Sequence, residues 1–132
     1  MTGWTQALGN PEGILAVYGG EPPELAAVHV HEVTLHRDGP SLTVTVDLPV
    51  FPARPPAKWV RERYDVVQIQ LRFFGLTDVE LRGFGTDPMA DIVLSPGDPV
   101  RVEIVSPVLT LTASAGFVDV AGISAYQAAG SR

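Results

Sequence analysis

The chain contains no cysteine, which excludes a disulfide framework, a thiolate metal site and any thiol nucleophile. Lysine is nearly absent too: Lys58 stands alone among nine bases, and the other eight are arginine. Positive charge is scarce altogether, with nine Lys and Arg against fifteen Asp and Glu and a net charge of −6. A surface of that sign repels phosphate backbones, so no nucleic-acid partner is expected, and it speeds encounter with a basic protein. No apolar run approaches the ~20 residues a membrane helix needs. Residues 1–10 lack the basic and apolar regions of a secretory signal. The expectation is a cytoplasmic chain with no membrane partner.

What is present is a folding composition. The 132 residues are 45% hydrophobic and 18% charged, enough for one core and too few for two. The expected organisation is a single domain over 1–132, with a short helical lead-in at 1–27 packed on an antiparallel β core at 28–127. In the lead-in, Asn10-Pro11-Glu12 reads as a helix start with Asn10 as its cap. Ile14, Leu15 and Tyr18 follow at helical spacing, and Gly19-Gly20 ends it. Trp4 to Leu8 reads as a further helical turn closed by Gly9, with Trp4 in the core.

From Val28 onward the period is two. Leu42, Val44, Val46 and Leu48 alternate with Thr43, Thr45 and Asp47; Val67, Ile69, Leu71 and Phe73 alternate with Gln68, Gln70 and Arg72. Such alternation marks strands with one face in a core and the other in water, as in antiparallel sheets. About eight strands result, at 28–36, 41–48, 65–74, 77–84, 90–95, 99–105, 108–114 and 117–126. Asp38-Gly39, Pro96-Gly97-Asp98 and Ala115-Gly116 read as hairpin turns between neighbours. The fold class is mainly β, as a two-sheet sandwich or a curled, barrel-like sheet, with one or two short N-terminal helices.

Little here looks like a reaction centre. His29 and His31 share one face of the first strand and could hold a metal, but Glu32 is expected on the opposite face and His36 lies out of phase, so a third ligand is missing. No serine sits in a Gly-x-Ser-x-Gly motif. Gly83-Phe84-Gly85-Thr86-Asp87-Pro88 lacks the lysine and third glycine of a phosphate loop and reads as a turn. Asp78/Glu80 and Glu62/Asp65 are read as solvated carboxylates. Neither an enzyme, a cofactor nor a metal is expected. The best interaction candidate is the long proline-rich connection from Pro49 to Arg63, where Trp59 is accompanied by Lys58, Arg61 and Arg63. Those four residues are the expected partner-binding set; the bland alternative makes Trp59 a lid folded back on the core.

The order of features resembles a known family. Trp4, Asn10-Pro11-Glu12-Gly13-Ile14, Tyr18-Gly19 and Pro22-Pro23-Glu24-Leu25 precede VHVHEVTLHRDGPSLTVTVDLP. Lys58-Trp59, VVQIQLRFFGLTDVELRGFG and a terminal VAGISAYQ follow. Together they resemble the immunity protein 50 family of bacterial polymorphic toxin systems, over about residues 4–127. The resemblance implies a cytosolic immunity protein that neutralises a cognate toxin domain by protein–protein contact. It carries no toxin-contact residues with it and no oligomeric state. The competing expectation is a small-ligand-binding β domain whose cavity is lined by Phe73, Phe74, Phe84 and Phe117.

Overall fold

In the computed structural model, residues 3–86 and 88–128 are described. Asp87, within the turn expected at Gly83–Pro88, lies outside them. The alternating segments form β1 (Val28–His36), β2 (Ser41–Asp47), β3 (Val66–Phe74), β4 (Asp78–Arg82), β5 (Met89–Ser95), β6 (Val100–Val105), β7 (Thr110–Ala115) and β8 (Phe117–Tyr126). The lead-in supplies a 3-10 turn at Trp4–Ala7 and a short helix α1 at Glu12–Val17. A helix absent from the sequence-based expectation, α2 at Ala57–Arg61, lies within the long connection.

The strands hydrogen-bond in the order β4-β7-β6-β5-β1-β2-β3-β8, every pairing antiparallel, as one open sheet. The link in the middle is thin. Among the described residues β1 meets β5 only through Val28↔Ala90 and His29↔Met89, so the sheet consists of two four-stranded halves. Their apolar faces nevertheless belong to one hydrophobic cluster, which includes Leu42, Val44, Val46, Ile69, Leu71 and Phe73 from one half and Ile92, Ile104 and Leu111 from the other. Each such side chain, fully buried, contributes about 1.5–3 kcal/mol.

Two expected neighbours are not neighbours. The turn at Ala115-Gly116 does not make a hairpin, because β7 pairs with β4 and β6 while β8 pairs with β3. Likewise β3 and β4, consecutive across Gly75, lie in different halves. Gly75 and Gly116 are therefore two crossings from one half to the other, and they sit against each other. The Gly116 amide donates to the Phe74 carbonyl at 2.8 Å. A Cβ on Gly75, where φ is +67°, would lie 3.6 Å from the Gly116 nitrogen. A glycine between two alternating runs signals a change of direction; it does not say which strand comes next to which.

The lead-in plugs the core: Trp4, Leu8, Ile14 and Leu25 are all buried in the shared cluster. Asn10 does not cap α1, whose N-cap is Pro11 with no side-chain bond. Instead, Asn10 imitates a strand. Its Nδ2 donates to the Val120 carbonyl at 2.9 Å, and its Oδ1 accepts from the Val120 amide at 2.9 Å. With Gly9 N donating to Val118 O at 2.8 Å, the lead-in satisfies the middle of the β8 edge, which would otherwise present unpaired backbone groups. Asn10→Ala removes two bonds to a partner 110 residues away and is expected to cost about 1–3 kcal/mol. Urea unfolding checks this; an unchanged midpoint contradicts it.

Candidate functional site

The expected partner-binding residues sit on α2 and the turn after it. Pro55-Pro56 leads directly into Ala57, and five residues form the helix before Arg63, at φ +60°, closes it. Trp59 is half-buried, packs against the core cluster and meets Phe51 with ring centroids 5.9 Å apart. Lys58, Arg61 and Arg63 are exposed. The indole anchors the loop on the core, as the lid alternative expects, and the three cations face outward. Its start is held by the Tyr18 hydroxyl, which donates to the Val50 carbonyl at 2.6 Å. Burial pushes the Tyr18 phenol up to about 12.

A second cluster was not visible in the residue pattern. Thr43, Thr45 and Asp47, expected in water, are all buried, so that β2 is covered on both faces. The reason is the length of the neighbouring side chains. Arg72 Nε on β3 donates to Thr43 Oγ1 at 3.3 Å. Asp47 Oδ1 accepts from Gln68 Nε2 at 3.0 Å. Asp47 Oδ2 is bonded to His31 Nε2 at 2.7 Å and also accepts from the Tyr126 hydroxyl. One carboxylate on β2 therefore joins β1, β3 and β8. Burial, the hydrogen bond to Asp47 and the charges of Asp47 and Asp65 together push the Tyr126 phenol up to about 12.

The histidines take a different arrangement from the expected pair. A bulge in β1 between Val30 and Glu32 puts His29 opposite Asp47 and Glu32 opposite Thr45. Since Asp47 and Thr45 share a face of β2, Glu32 shares a face with His29; the extra bulge residue shifts the phase by one. His31, 46% exposed, is oriented by Asp47. Among the described residues, no group of three or more His, Cys, Asp or Glu is placed to hold a metal.

The four phenylalanines proposed to line a cavity do not converge. Phe73 is in the core at 1% exposure, whereas Phe84 is 53% exposed. Phe74 stacks on Phe117 with centroids 4.7 Å apart. Those two are register partners in β3 and β8, on the face opposite Phe73 because successive strand residues point to opposite sides.

Among the described residues, no helix is long and apolar enough to cross a membrane. A family model described as immunity protein 50 matches residues 10–126. No curated protein matches the chain, and no solved structure matches it.

The Asp47 cluster makes an alkaline prediction. Tyr126 has a folded-state pKa above the unfolded value of 10, so its contribution is complete below pH 10 and is lost as pH rises toward 12. Asp47→Asn removes the negative charge but leaves the burial, so the Tyr126 phenolate midpoint should fall only part of the way back. Ultraviolet titration of the phenolate band checks this, and a midpoint unmoved by the substitution contradicts it.

Proposed function

The chain belongs to the immunity protein 50 family, and on that premise we propose that it binds a cognate bacterial toxin domain in the cytoplasm of the producing cell and neutralises it by protein–protein contact. The family match over residues 10–126 carries the reading. The physical features are compatible with it. Inhibition by occupation needs a stable scaffold with a complementary exterior and no reacting groups of its own. A net charge of −6 favours fast capture of a basic toxin domain.

In this reading α2 supplies one contact. Its backbone is held by the half-buried Trp59 against Phe51, which keeps the entropy cost of docking low, and Lys58, Arg61 and Arg63 meet an acidic part of the toxin surface. Arginine and tryptophan are the residue types that most often dominate binding energy.

Co-expression with the toxin domain encoded beside this chain should restore growth, and the two proteins should co-elute. Absence of both rescue and complex overturns the proposal. Reversing Lys58, Arg61 and Arg63 to glutamate should weaken the complex about tenfold or more at low salt. Because all three are exposed, stability should change by less than about 0.5 kcal/mol per site. Titration calorimetry and thermal unfolding measure the two effects separately.

A further inference from the structure

The lead-in also borders an open groove. The short helix α1 ends at Gly19-Gly20, where Gly20, at φ +93°, lets the chain double back and its amide donate to the Leu15 carbonyl at 2.8 Å. Pro22-Pro23 then returns to the Trp4–Ala7 turn, where the Trp4 Nε1 donates to the Pro23 carbonyl at 2.9 Å. The space between these walls is about 460 Å³. Trp4, 5% exposed, and the half-buried Leu15 and Pro22 make its floor, and the exposed Glu21 and Glu24 stand at its rim. Backbone bonds fix both walls: Leu8 N donates to Thr5 O at 3.2 Å, and Glu21 N donates to Tyr18 O at 3.2 Å.

The charge of this groove has a single sign. No Lys, Arg or His lines it, and its remaining lining residues, Thr5, Gln6 and Gly20, are uncharged. The lead-in from residue 3 to residue 27 holds three acids, Glu12, Glu21 and Glu24, and no base; the first arginine of the chain is Arg37. Among the described residues neither Glu21 nor Glu24 has an ion-pair partner. A cleft with charge of one sign and low-dielectric walls focuses its field and concentrates counter-ions. Two uncompensated carboxylates on one rim do nothing to hold the free chain together. They gain a partner only when a cation enters.

We propose that this groove receives an arginine or lysine side chain from a basic segment of the protein partner, with its methylene stem on Leu15, Pro22 and Trp4 and its head on Glu21 and Glu24. Long cationic side chains lay their stems on apolar surface and keep their heads solvated or paired. Charge-assisted bonds to carboxylate are among the stronger hydrogen bonds. The Trp4–Pro23 bond sets the floor before docking, which lowers the ordering cost. Groove and α2 loop are built on the same helix: Leu15 lines the groove, and Tyr18, three residues on, holds the start of the loop at Val50. A partner with basic and acidic patches side by side meets both. The proposal rests on the immunity reading above, which supplies that partner.

The test uses the full chain and the toxin domain encoded beside it. Glu21→Gln combined with Glu24→Gln removes both charges and keeps the shapes. Affinity for the toxin domain should fall roughly tenfold or more at low salt, while the melting temperature stays at or above that of the unmodified chain. Glu12→Gln, the same charge change outside the groove, should have a much smaller effect. Unchanged affinity in the double variant, or an equal loss for Glu12→Gln, overturns the groove while leaving toxin binding intact. A free chain that self-associates in light scattering and separates on the double substitution also overturns it, since a second copy then fills the groove. If the unmodified chain binds no toxin domain, the immunity reading falls, and the groove is judged on N-acetyl-arginine amide. A shift of the Trp4 indole N–H resonance that the double substitution removes supports the groove. No shift, or the same shift in the double variant, overturns it.

Discussion

Strand β2 is the constraint around which the rest is arranged. All seven of its residues are buried, Leu42, Val44 and Val46 in the shared core and Thr43, Thr45 and Asp47 beneath the polar exterior. A buried carboxylate is costly unless its oxygens are engaged. Asp47 is engaged three ways, by Gln68, His31 and Tyr126, one from each of the other strands in its half-sheet. Among the described residues, no buried side-chain nitrogen or oxygen lacks a partner. The same strand thus seals the core on one side and ties four strands together on the other. The second half-sheet, joined through two residue pairs and the two glycine crossings, is held by sharing that core.

Much of this architecture was legible and the rest failed for identifiable reasons. The period-two runs place all eight strands, and β1 and β8 match to the residue, because alternation reports which side chains seek the core. Strand order was not legible. Val67–Phe73 and Val79–Leu81 look like successive arms of a hairpin, but pairing partners are chosen by the packing of the whole sheet. Asn10 was misread for a similar reason: it carries a helix-start residue pattern, and the competing acceptor on Val120 lies at the other end of the chain. Burial of Thr43 and Asp47 could not be foreseen from their own strand, since what covers them is the reach of Arg72, Gln68, His31 and Tyr126. The bulge that brings His31 to Asp47 leaves no mark in the sequence beyond the phase change before His36. Of the candidate site, the loop and its tryptophan stood out by length and composition. The five-residue helix inside it was too short to show a period, although Pro55-Pro56 before Ala57 was a usable start signal.

The two ends of the sheet are treated differently. An asparagine side chain and a stretch of lead-in cover the backbone of β8, whereas β4 is short, carries three charged residues out of five and, among the described residues, pairs only with β7. Short, charged edges are how sheets avoid indiscriminate pairing. Beside that edge the core is incompletely covered at Leu35 and Leu81.

Native-state hydrogen exchange of the free chain tests this account most directly. The amides of Leu42 to Val46, hydrogen-bonded on both sides within a strand buried on both faces, should exchange only through global unfolding. Those on β4 should exchange through local opening several kcal/mol cheaper. Equal protection of β2 and β4 would contradict the account, because a strand paired on one side among the described residues would then be held as firmly as one paired on both.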